Sequence, residues 1–313
     1  MELLRKSKSE IFRKLYYKQW VIGLVRSDIK NIIRTRSFPG NIKWIGPESM
    51  DHFYADPFLL GSDDGYNNIL FEDFSIEENY GNISLLTVDN DFNTIKKKVL
   101  LDTRSHLSFP FIYTEMNRIF VFPESARSGA VSCYEYDSEN KSLSYLRKVL
   151  ELPLYDSAIL KYNNRYWLFG TLYEKRINYK LNIFYSDNLL GPYIPHEGNP
   201  VKSGLNGTRA AGNFFEVDGV IYRPVQNCER EYGESITINK LMKLDSSSFI
   251  EEPYMEITID DANLKYQNIH TIHTINFLND LIVVDGMKWT FALKEQWKNF
   301  LRNRRLLQQM NHS

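Results

Sequence analysis

The stretch "HFYADPFLLGSDDGYNNILFEDF" (52–74) consists of two short apolar and aromatic runs on either side of a polar turn. Two such runs separated by Gly and Asp are typical of a β-hairpin. Asp56 stands at the start of the first run, where an inner strand would carry it into the interior. A carboxylate buried there without partners costs several kcal/mol, so we expect it to be paired or used.

The same pair of runs recurs along the chain. The second run of each pair follows a polar turn, as in "NNILFEDF" (67–74), "MNRIFVFPES" (116–125), "NNRYWLFGTL" (163–172), "VDGVIYRPVQ" (217–226) and "LNDLIVVDGM" (278–287). Equivalent positions are 50, 47, 54 and 61 residues apart. Short antiparallel strands at this period are what β-propeller blades require, whereas a sandwich would not need the period. We therefore predict an all-β fold, a five-bladed β-propeller, with "GNIKWIG" (40–46) closing the ring.

Composition and charge separate the two ends from the body. The chain is 43% hydrophobic and 14% aromatic, which suffices for a large core and favours strands. Residues 1–36 carry a net charge of +7 and residues 288–313 carry +5, which leaves −13 for the rest. The predicted domains are a basic helical N-terminal extension (1–39), the propeller (40–290) and a basic C-terminal helix (291–313).

The basic ends allow two interpretations. They are either solvated helices that pack on the body, or amphipathic segments that adhere to an anionic membrane surface. Cys133 and Cys228 are too few for a disulfide framework, and neither a signal peptide nor a membrane-spanning apolar run is evident. We therefore expect a cytoplasmic protein, peripheral on the inner face of the cytoplasmic membrane if the second interpretation holds.

Three carboxylates are predicted to be catalytic. In a propeller the first strands line a central channel, so polar residues at equivalent positions converge there. Asp56 and Asp156 begin blades one and three at matching places, and Glu124 ends a second strand before a loop that carries Arg127. A carboxylate beside an arginine suits sugar hydroxyls or acid–base work. The structural alternatives are a turn cap or a tie between blades for the aspartates, and a surface salt bridge for Glu124.

A second group of polar residues is predicted to bind substrate: Arg127, Arg209, Asn213, Arg223, Gln226, His270 and His273. Arg209 lies in "NGTRAAGNFF" (206–215), whose small residues would let a ligand approach closely, and arginine suits phosphate or carboxylate. The repeat also places Glu72, Asp73 and Asp285 near the ends of second strands, without assigning them a role.

Metal and nucleotide signatures are not found. His270 and His273 are three residues apart, which sends them to opposite faces of a strand and argues against a shared metal. The sequence shows no P-loop, dinucleotide-binding glycine pattern or serine nucleophile elbow. We predict no metal site and no cofactor, leave a divalent metal open, and expect no nucleic-acid partner.

Several motifs in order resemble one family over roughly residues 40–290: "ADPFLL", "HLSFPFI", "FPES", "YDSAIL", "RYWLFG", "SDNLLGPYIPHEGNPV" and "YRPVQNCEREYGESITI". They are similar to the N-terminal domain of plant glucosamine inositolphosphorylceramide transferases and to related bacterial surface-polysaccharide proteins. The resemblance implies a five-bladed propeller related to glycoside hydrolases and furanosidases with three inner carboxylates. In the plant enzymes a separate glycosyltransferase domain follows the propeller, and these 313 residues show no counterpart.

The three-carboxylate pattern implied by the resemblance is only partly present. It places an Asp in blade one, an Asp in blade two and a Glu in blade three. Asp56 matches the first, Phe109 stands at the second, and Asp156 opens blade three, where the nearest glutamate is Glu124 at the end of a blade-two strand. The hydrolase set is therefore not carried over intact.

Three functions stay open from the sequence. The first is a glycosyltransferase that takes a phosphate-activated sugar donor and a lipid-linked surface-polysaccharide acceptor of the O-antigen or capsule type. Asp56 would then act as base, Arg127 and Arg209 would hold the donor phosphate, and Glu124 and Asp156 would orient hydroxyls. The second is a non-catalytic glycan-binding or scaffold propeller that stacks aromatic rings on sugars. The third is a glycoside hydrolase of the furanosidase type, which needs two carboxylates flanking the scissile bond.

Overall fold

The computed structural model describes residues 16–63, 65–174, 178–261 and 267–291. Its strands form five antiparallel sheets arranged as a five-bladed β-propeller, which confirms the predicted fold class. The first 15 residues and the predicted C-terminal helix (291–313), apart from Phe291, lie outside the described residues.

The described chain begins with strand β1 (Tyr16–Arg26), helix α1 (Ile29–Thr35) and strand β2 (Lys43–Ile45). Asp28 caps α1, because its side chain accepts a hydrogen bond from the Lys30 N–H group. The helix buries its isoleucines against blades four and five.

Each of the next four blades is built from consecutive segments of chain. Blade one contains strands β3 (His52–Asp63), β4 (Tyr66–Ser75), β5 (Tyr80–Val88) and β6 (Thr94–Leu101). Blade two contains β7 (Ser108–Glu115), β8 (Arg118–Glu124), β9 (Val131–Asp137) and β10 (Ser142–Leu150). A short 3₁₀ helix (Ala126–Ser128) follows β8.

Blades three and four carry additional short strands. Blade three contains β11 (Leu154–Tyr162), β12 (Arg165–Glu174) and β13 (Asn178–Ser186), and β13 also pairs with β14 (Ile194–Pro195) and β15 (Lys202–Ser203). Blade four contains β16 (Asn206–Ala210), β17 (Phe215–Val217), β18 (Val220–Asn227), β19 (Ser235–Leu244) and β20 (Phe249–Ile257), with both β16 and β17 pairing with β18.

The fifth blade joins the two ends of the described chain. Its strand order is β2, β1, β22 (Leu281–Phe291) and β21 (Ile275–Leu278). Strand β1 pairs with β22 from Tyr16 opposite Phe291 to Arg26 opposite Leu281. The ring is thus closed mainly by β1, and the segment 40–46 that was predicted to close it adds the short edge strand β2.

The helix predicted across residues 1–39 is not formed over Tyr16–Arg26. The segment from Trp20 to Val25 contains five apolar residues and Gly23, and its apolar side chains are buried on both faces of the sheet. A helix would expose part of such a run, whereas a strand between two others buries every residue. The aromatic and β-branched residues of this segment also favour a strand.

Apolar cores lie between neighbouring blades. Phe58 of blade one meets Phe109 of blade two edge to face, with ring centroids 4.9 Å apart. Three described basic residues of the N-terminal segment form exposed ion pairs with acidic residues of the body: Lys18–Glu231, Arg26–Asp280 and Arg34–Asp218. These ion pairs hold the three side chains against the body, and membrane adhesion stays a prediction.

Candidate functional site

The inner strands of blades one, two and three share a local distortion. The ladder register shifts at the same place in β3, β7 and β11. Asp56, Phe109 and Asp156 occupy the shifted position, and all three have a positive φ, of 51°, 40° and 47°. Such a conformation costs roughly 1–3 kcal/mol per residue, and it clusters at functional sites. The equivalence of these three positions agrees with the sequence alignment of the blades.

A cavity of about 280 Å³ lies where these strands meet, and residues from all five blades line it. Its apolar walls are mostly aromatic: Trp20, Phe53, Phe74, Tyr155 and Tyr232. Its polar lining consists of acids, histidines, a serine and one arginine: Asp56, Glu72, His106, Ser108, Glu124, Arg209 and His273. A small cavity with aromatic walls and a few convergent polar groups is the usual form of a small-ligand site.

Asp56 is fixed by an extensive hydrogen-bond network. Its Oδ1 accepts from the Thr274 hydroxyl at 2.8 Å, and its Oδ2 accepts from the Phe109 N–H group at 3.2 Å. His273 Nε2 lies 3.5 Å from Asp56 Oδ1, and His273 Nδ1 lies 2.8 Å from Asp285 Oδ1. Burial raises the pKa of Asp56 to about 6, while the nearby imidazole opposes that shift. The pKa of His273 is also raised, because burial is outweighed by the two carboxylates.

Three residues of this network could together contact a cation. Asp56, His273 and Asp285 each bring one potential ligand atom within 4.8 Å of the others. Both oxygens of Asp285 are already engaged, since Oδ2 accepts from the Asp56 N–H group and Oδ1 accepts from the N–H groups of His273 and Thr274. A cation would have to displace these bonds, so the divalent metal stays an open prediction.

Glu124 approaches the cavity from blade two. Its Oε2 accepts from the Ser108 hydroxyl at 2.8 Å and its Oε1 accepts from the Ala126 N–H group at 2.6 Å. Burial nevertheless raises the pKa of Glu124 to about 7. A carboxyl group with this pKa carries its proton part of the time at neutral pH, which suits a general acid.

His106 stands between Glu124 and Glu72. Its Nε2 lies 3.8 Å from Glu124 Oε2 and its Nδ1 lies 3.7 Å from Glu72 Oε1. Burial, followed by the positive charge of Arg127, lowers the pKa of His106 to about 4. The Gly81 N–H group donates to Nδ1 at 3.1 Å, so the neutral ring carries its proton on Nε2.

Asp156 supports the cavity from behind its lining. Arg209 donates from Nε to Asp156 Oδ2 at 2.5 Å, and the Gln226 amide donates to the same oxygen at 3.1 Å. The Arg209 guanidinium faces the Tyr232 ring, with 5.0 Å between the guanidinium carbon and the ring centroid. The positive charge at the cavity wall is therefore already compensated by a buried carboxylate.

The structure brings together most of the residues predicted as site residues. Asp56, Glu124, Arg209 and His273 line the cavity, and Asp156 and Gln226 contact Arg209 or its partner. Arg127 is exposed on the 3₁₀ helix, and its charge reaches His106. Their catalytic and binding roles stay predictions.

Three predicted binding residues lie elsewhere. Arg223 is buried and paired with Glu251 at 2.8 Å, which joins β18 to β20 inside blade four. Asn213 stands at the seam with blade five, where its N–H group donates to the Asn276 side chain. His270 is exposed and bonds Asn268 at 3.3 Å, and the next residue, Thr271, forms an isolated bridge with Met287 of β22.

Other residues that line or support the cavity were missed or left without a role. Glu72 and Asp285 occupy second-strand positions that the repeat had marked, but strand alternation alone does not say which ones face the cavity. Four lining residues were not predicted from the sequence as site residues: His106, Tyr155, Tyr232 and Trp20. Tyr155 precedes Asp156 directly, which is a usable signal, whereas Trp20 reaches the site only because β1 is a strand of the fifth blade.

Among the described residues, no helix has the length and apolar character needed to cross a bilayer.

Residues 46–278 match the family described as "Glucosamine inositolphosphorylceramide transferase 1, N-terminal". The chain is 32% identical to glucosamine inositolphosphorylceramide transferase 1 of Arabidopsis thaliana over 211 residues, which cover 65% of the chain and 28% of that protein. The protein of the same name from Oryza sativa subsp. japonica is 29% identical over 217 residues, 67% of the chain and 29% of its own length.

A solved structure supports the fold. Zg3597, a family 117 glycoside hydrolase of Zobellia galactanivorans, superposes with a TM-score of 0.53 at 13% identity, covering 90% of this chain and 92% of that one. The chain spans less than a third of the length of the plant relatives that it matches. The match covers most of the chain, and the resemblance found in the sequence is confirmed: the chain belongs to the family of the N-terminal domain of glucosamine inositolphosphorylceramide transferase 1.

Proposed function

We propose that this carbohydrate-related protein binds one sugar unit in the cavity and performs acid–base chemistry at its glycosidic bond, as a glycosyl-transfer enzyme. The observation that carries the proposal is that Asp56 and Glu124 line one aromatic-walled cavity with pKa values raised by burial to about 6 and about 7. A volume of about 280 Å³ lies near the lower end of small-ligand pockets and suits one sugar unit rather than a long chain.

The two carboxyl groups have complementary roles in this proposal. At neutral pH the Asp56 carboxylate is largely ionised and takes the proton of the attacking hydroxyl group. The protonated fraction of Glu124 gives its proton to the oxygen of the leaving group. Thr274 and the Phe109 N–H group hold the Asp56 carboxylate in place, and His273 with Asp285 stabilises its charge. Tyr155, Tyr232 and Trp20 provide flat apolar surfaces for a sugar ring.

We further propose a phosphate-activated sugar donor and a lipid-linked acceptor. The plant relatives are named as transferases for glucosamine and inositolphosphorylceramide, which supports a sugar donor and a glycan or lipid acceptor. A phosphate on the donor would meet Arg127 at the rim, since the charge of Arg209 is already paired with Asp156. The basic composition of residues 1–36 and 288–313 supports a lipid-linked acceptor at the cytoplasmic face of a membrane.

A second candidate is a glycan-binding propeller without turnover. The aromatic walls favour it, because stacking on a sugar ring needs no catalytic carboxylate. Hydrolysis is the third candidate, and it uses the same acid and base with water as acceptor. Product analysis separates the three, since transfer yields a new glycoside, hydrolysis yields a free sugar and binding yields neither.

The test compares Asp56→Asn and Glu124→Gln with the wild type. The assay incubates each protein with a panel of aryl glycosides and nucleotide sugars, with and without acceptor sugars, and detects products by mass spectrometry. Loss of a positioned acid or base should lower turnover by about 10²–10⁴-fold. Binding of the same sugars, measured by calorimetry, should change by less than about 10-fold because the cavity shape is kept.

The controls are Asp91→Asn and Glu139→Gln, which change exposed carboxylates outside the cavity. Both should keep wild-type turnover. Full turnover by a folded Asp56→Asn or Glu124→Gln variant would reject the acid–base assignment. Sugar binding by the wild type without any product would leave the binding propeller as the function.

A further inference from the structure

Glu72 is a cavity-lining carboxyl group that the proposed chemistry does not use. It lies near the end of β4, opposite Ala55 on β3 and Ile83 on β5. Only 6% of the residue is exposed, and its side chain forms part of the cavity wall. Its carboxyl group packs closely against Gly81, because a Cβ atom placed there would stand 2.6 Å from Glu72 Oε1.

Glu72 differs from the other carboxyl groups of the site in its hydrogen bonding. Asp56, Glu124, Asp156 and Asp285 each accept hydrogen bonds from protein groups. Within the described part of the chain, the Glu72 carboxyl group forms none. His106 Nδ1 lies 3.7 Å from Glu72 Oε1, and that nitrogen has no proton to give because it accepts from the Gly81 N–H group.

The surroundings disfavour the ionised form of this carboxyl group. Burial raises the pKa of Glu72 well above the usual glutamate range, and the nearby carboxyl groups raise it further. The titratable and charged groups around it come from its own blade and from the other four: Asp56, His106, Glu124, Asp156, Arg209, His273 and Asp285. The only described cation lining the cavity besides the histidines is Arg209, which is already paired with Asp156.

We propose that Glu72 is a ligand-binding residue and that its carboxyl group exchanges hydrogen bonds with a hydroxyl group of the bound sugar. A neutral carboxyl group donates through its O–H and accepts through its C=O, which matches a hydroxyl group that does both. Buried polar groups in native proteins are almost always hydrogen-bonded, so a buried group without a protein partner at a cavity wall points to a partner in the ligand. The inference rests on the proposed function, because it takes the ligand to be a sugar.

A ligand with a protonated amine is the competing partner. It would require an ionised Glu72, and binding would then release a proton and strengthen as the pH rises. A hydroxyl group requires the neutral carboxyl group, and binding then weakens as Glu72 ionises. The two readings therefore predict opposite effects of pH and of an amide at this position.

The experiment measures sugar binding by wild-type, Glu72→Gln and Glu72→Ala proteins. The probes are D-glucose, D-galactose, D-mannose, N-acetyl-D-glucosamine and D-glucosamine, titrated by calorimetry between about pH 6 and about pH 9. An amide donates and accepts as a neutral carboxyl group does, so Glu72→Gln should bind within about 3-fold of the wild type at neutral pH. Glu72→Ala should bind at least about 10-fold more weakly, since the sugar hydroxyl loses its partner.

The pH profile separates a binding role from a structural one. As the pH rises and Glu72 ionises, the wild type should lose affinity relative to Glu72→Gln, whereas a merely structural residue would leave that ratio constant. Glu216→Ala, an exposed strand carboxylate in blade four, serves as the matched control and should bind as the wild type does. The melting temperature of each variant should stay at or above that of the wild type, because an unpaired buried carboxyl group is removed.

Each other outcome counts against one specific statement. If the wild type binds a sugar and Glu72→Ala binds it equally well, the Glu72 inference is wrong and the proposed function stands. If D-glucosamine binds best, with affinity that rises with pH and is lost in Glu72→Gln, the partner of Glu72 is a cation and the hydroxyl inference is overturned. If the wild type binds none of the sugars, the proposed function itself is rejected.

Discussion

The same strained backbone conformation occurs in three blades, at Asp56, Phe109 and Asp156, but the three side chains make different contacts. The conformation breaks the strand alternation, so that the side chain at this position points along the interior between blades. Asp56 reaches the His273 network and Asp156 reaches Arg209. Phe109 packs instead against Phe58, which fills the blade-two position with core. The same backbone conformation therefore places either a polar or an apolar side chain between the blades, depending on the residue at this position.

The buried pair of Asp156 and Arg209 gives a prediction at this scale. Asp156→Asn leaves the charge of Arg209, whose side chain is 12% exposed, without a compensating partner. We expect a loss on the order of 3–5 kcal/mol in the free energy of unfolding, measured by urea denaturation. Most of this loss should be recovered in the double variant with Arg209→Met, which removes the uncompensated charge.

The exposed pair of Arg118 and Glu135 is the control for that measurement. Because solvent screens exposed charges, Glu135→Gln should cost no more than about 1 kcal/mol. Equal losses at Asp156 and Glu135 would show that burial of the ion pair has no special effect, contrary to the prediction.

At the scale of elements, the seam between blades four and five explains the small residues around Arg209. From the sequence alone, these small residues were predicted to let a ligand approach closely. In the structure they allow the backbone of blade five to approach, since the Ile275 N–H group donates to the Ala211 carbonyl at 2.7 Å. A Cβ atom at Gly212 would stand 1.9 Å from the Ile275 carbonyl oxygen, and Gly212 has φ of +153°. The sequence "AAG" is therefore a packing requirement of two blades.

Gly212→Ala should consequently be among the most destabilising small substitutions in the protein. The backbone of blade five has to move away, which breaks the Ala211–Ile275 hydrogen bond, and we expect a loss of at least about 3 kcal/mol. Gly219→Ala in the same blade is the control: its φ of +78° is also positive, but no atom lies within 4 Å of the added Cβ. It should cost only about 1–2 kcal/mol, from the backbone conformation alone. Thermal unfolding of both variants compares them, and similar melting temperatures would contradict the seam interpretation.

On the scale of the whole molecule, the strands that close the ring also complete the cavity. Trp20 stands on β1 and His273 precedes β21, and both reach the cavity because β1 pairs with β22 in the last blade. The His273 ring lies against the Trp20 ring, with centroids 4.1 Å apart. A ring left open at this blade would therefore lose one side of the cavity as well as the sheet.

The concentration of buried acids at the centre makes stability depend on pH. Asp56, Glu72 and Glu124 have raised pKa values in the folded state, so the folded protein holds protons that the unfolded chain releases. Their contribution is fully present below about pH 4 and is lost as the pH rises through the folded pKa values. His106, whose pKa is lowered to about 4, acts in the opposite direction as the pH falls below about 6.5.

Glu124→Gln isolates one of these contributions. The shift of the Glu124 pKa from 4.5 to about 7 corresponds to a cost on the order of 3 kcal/mol once the carboxylate is fully ionised. The free energy of unfolding of Glu124→Gln, relative to the wild type, should therefore increase between about pH 5 and about pH 8 by roughly 2–3 kcal/mol. Urea denaturation at several pH values measures this difference, and a constant difference would contradict the assigned titration.

The sequence by itself determined the number of blades, the pair of apolar runs in each blade and the equivalence of Asp56, Phe109 and Asp156. These follow from local patterns of apolar runs and turns that recur about every 50 residues, so each repeat supports the reading of the others. It also singled out Asp56, Glu124, Arg209 and His273, because residues at equivalent places on inner strands converge in a propeller.

Only the tertiary structure decided the rest, since it depends on contacts between distant segments. The helical spacing of residues 16–26 is ambiguous until β22, more than 250 residues away, supplies a strand partner. Arg223 and His270 lie away from the cavity, whereas Glu72 and His106 line it, and the local sequence pattern does not specify which of these side chains face the cavity. Charge compensation also depends on the tertiary structure. Arg209 forms an ion pair with Asp156, whereas Glu72 is buried at the cavity wall and accepts no hydrogen bond from the described residues.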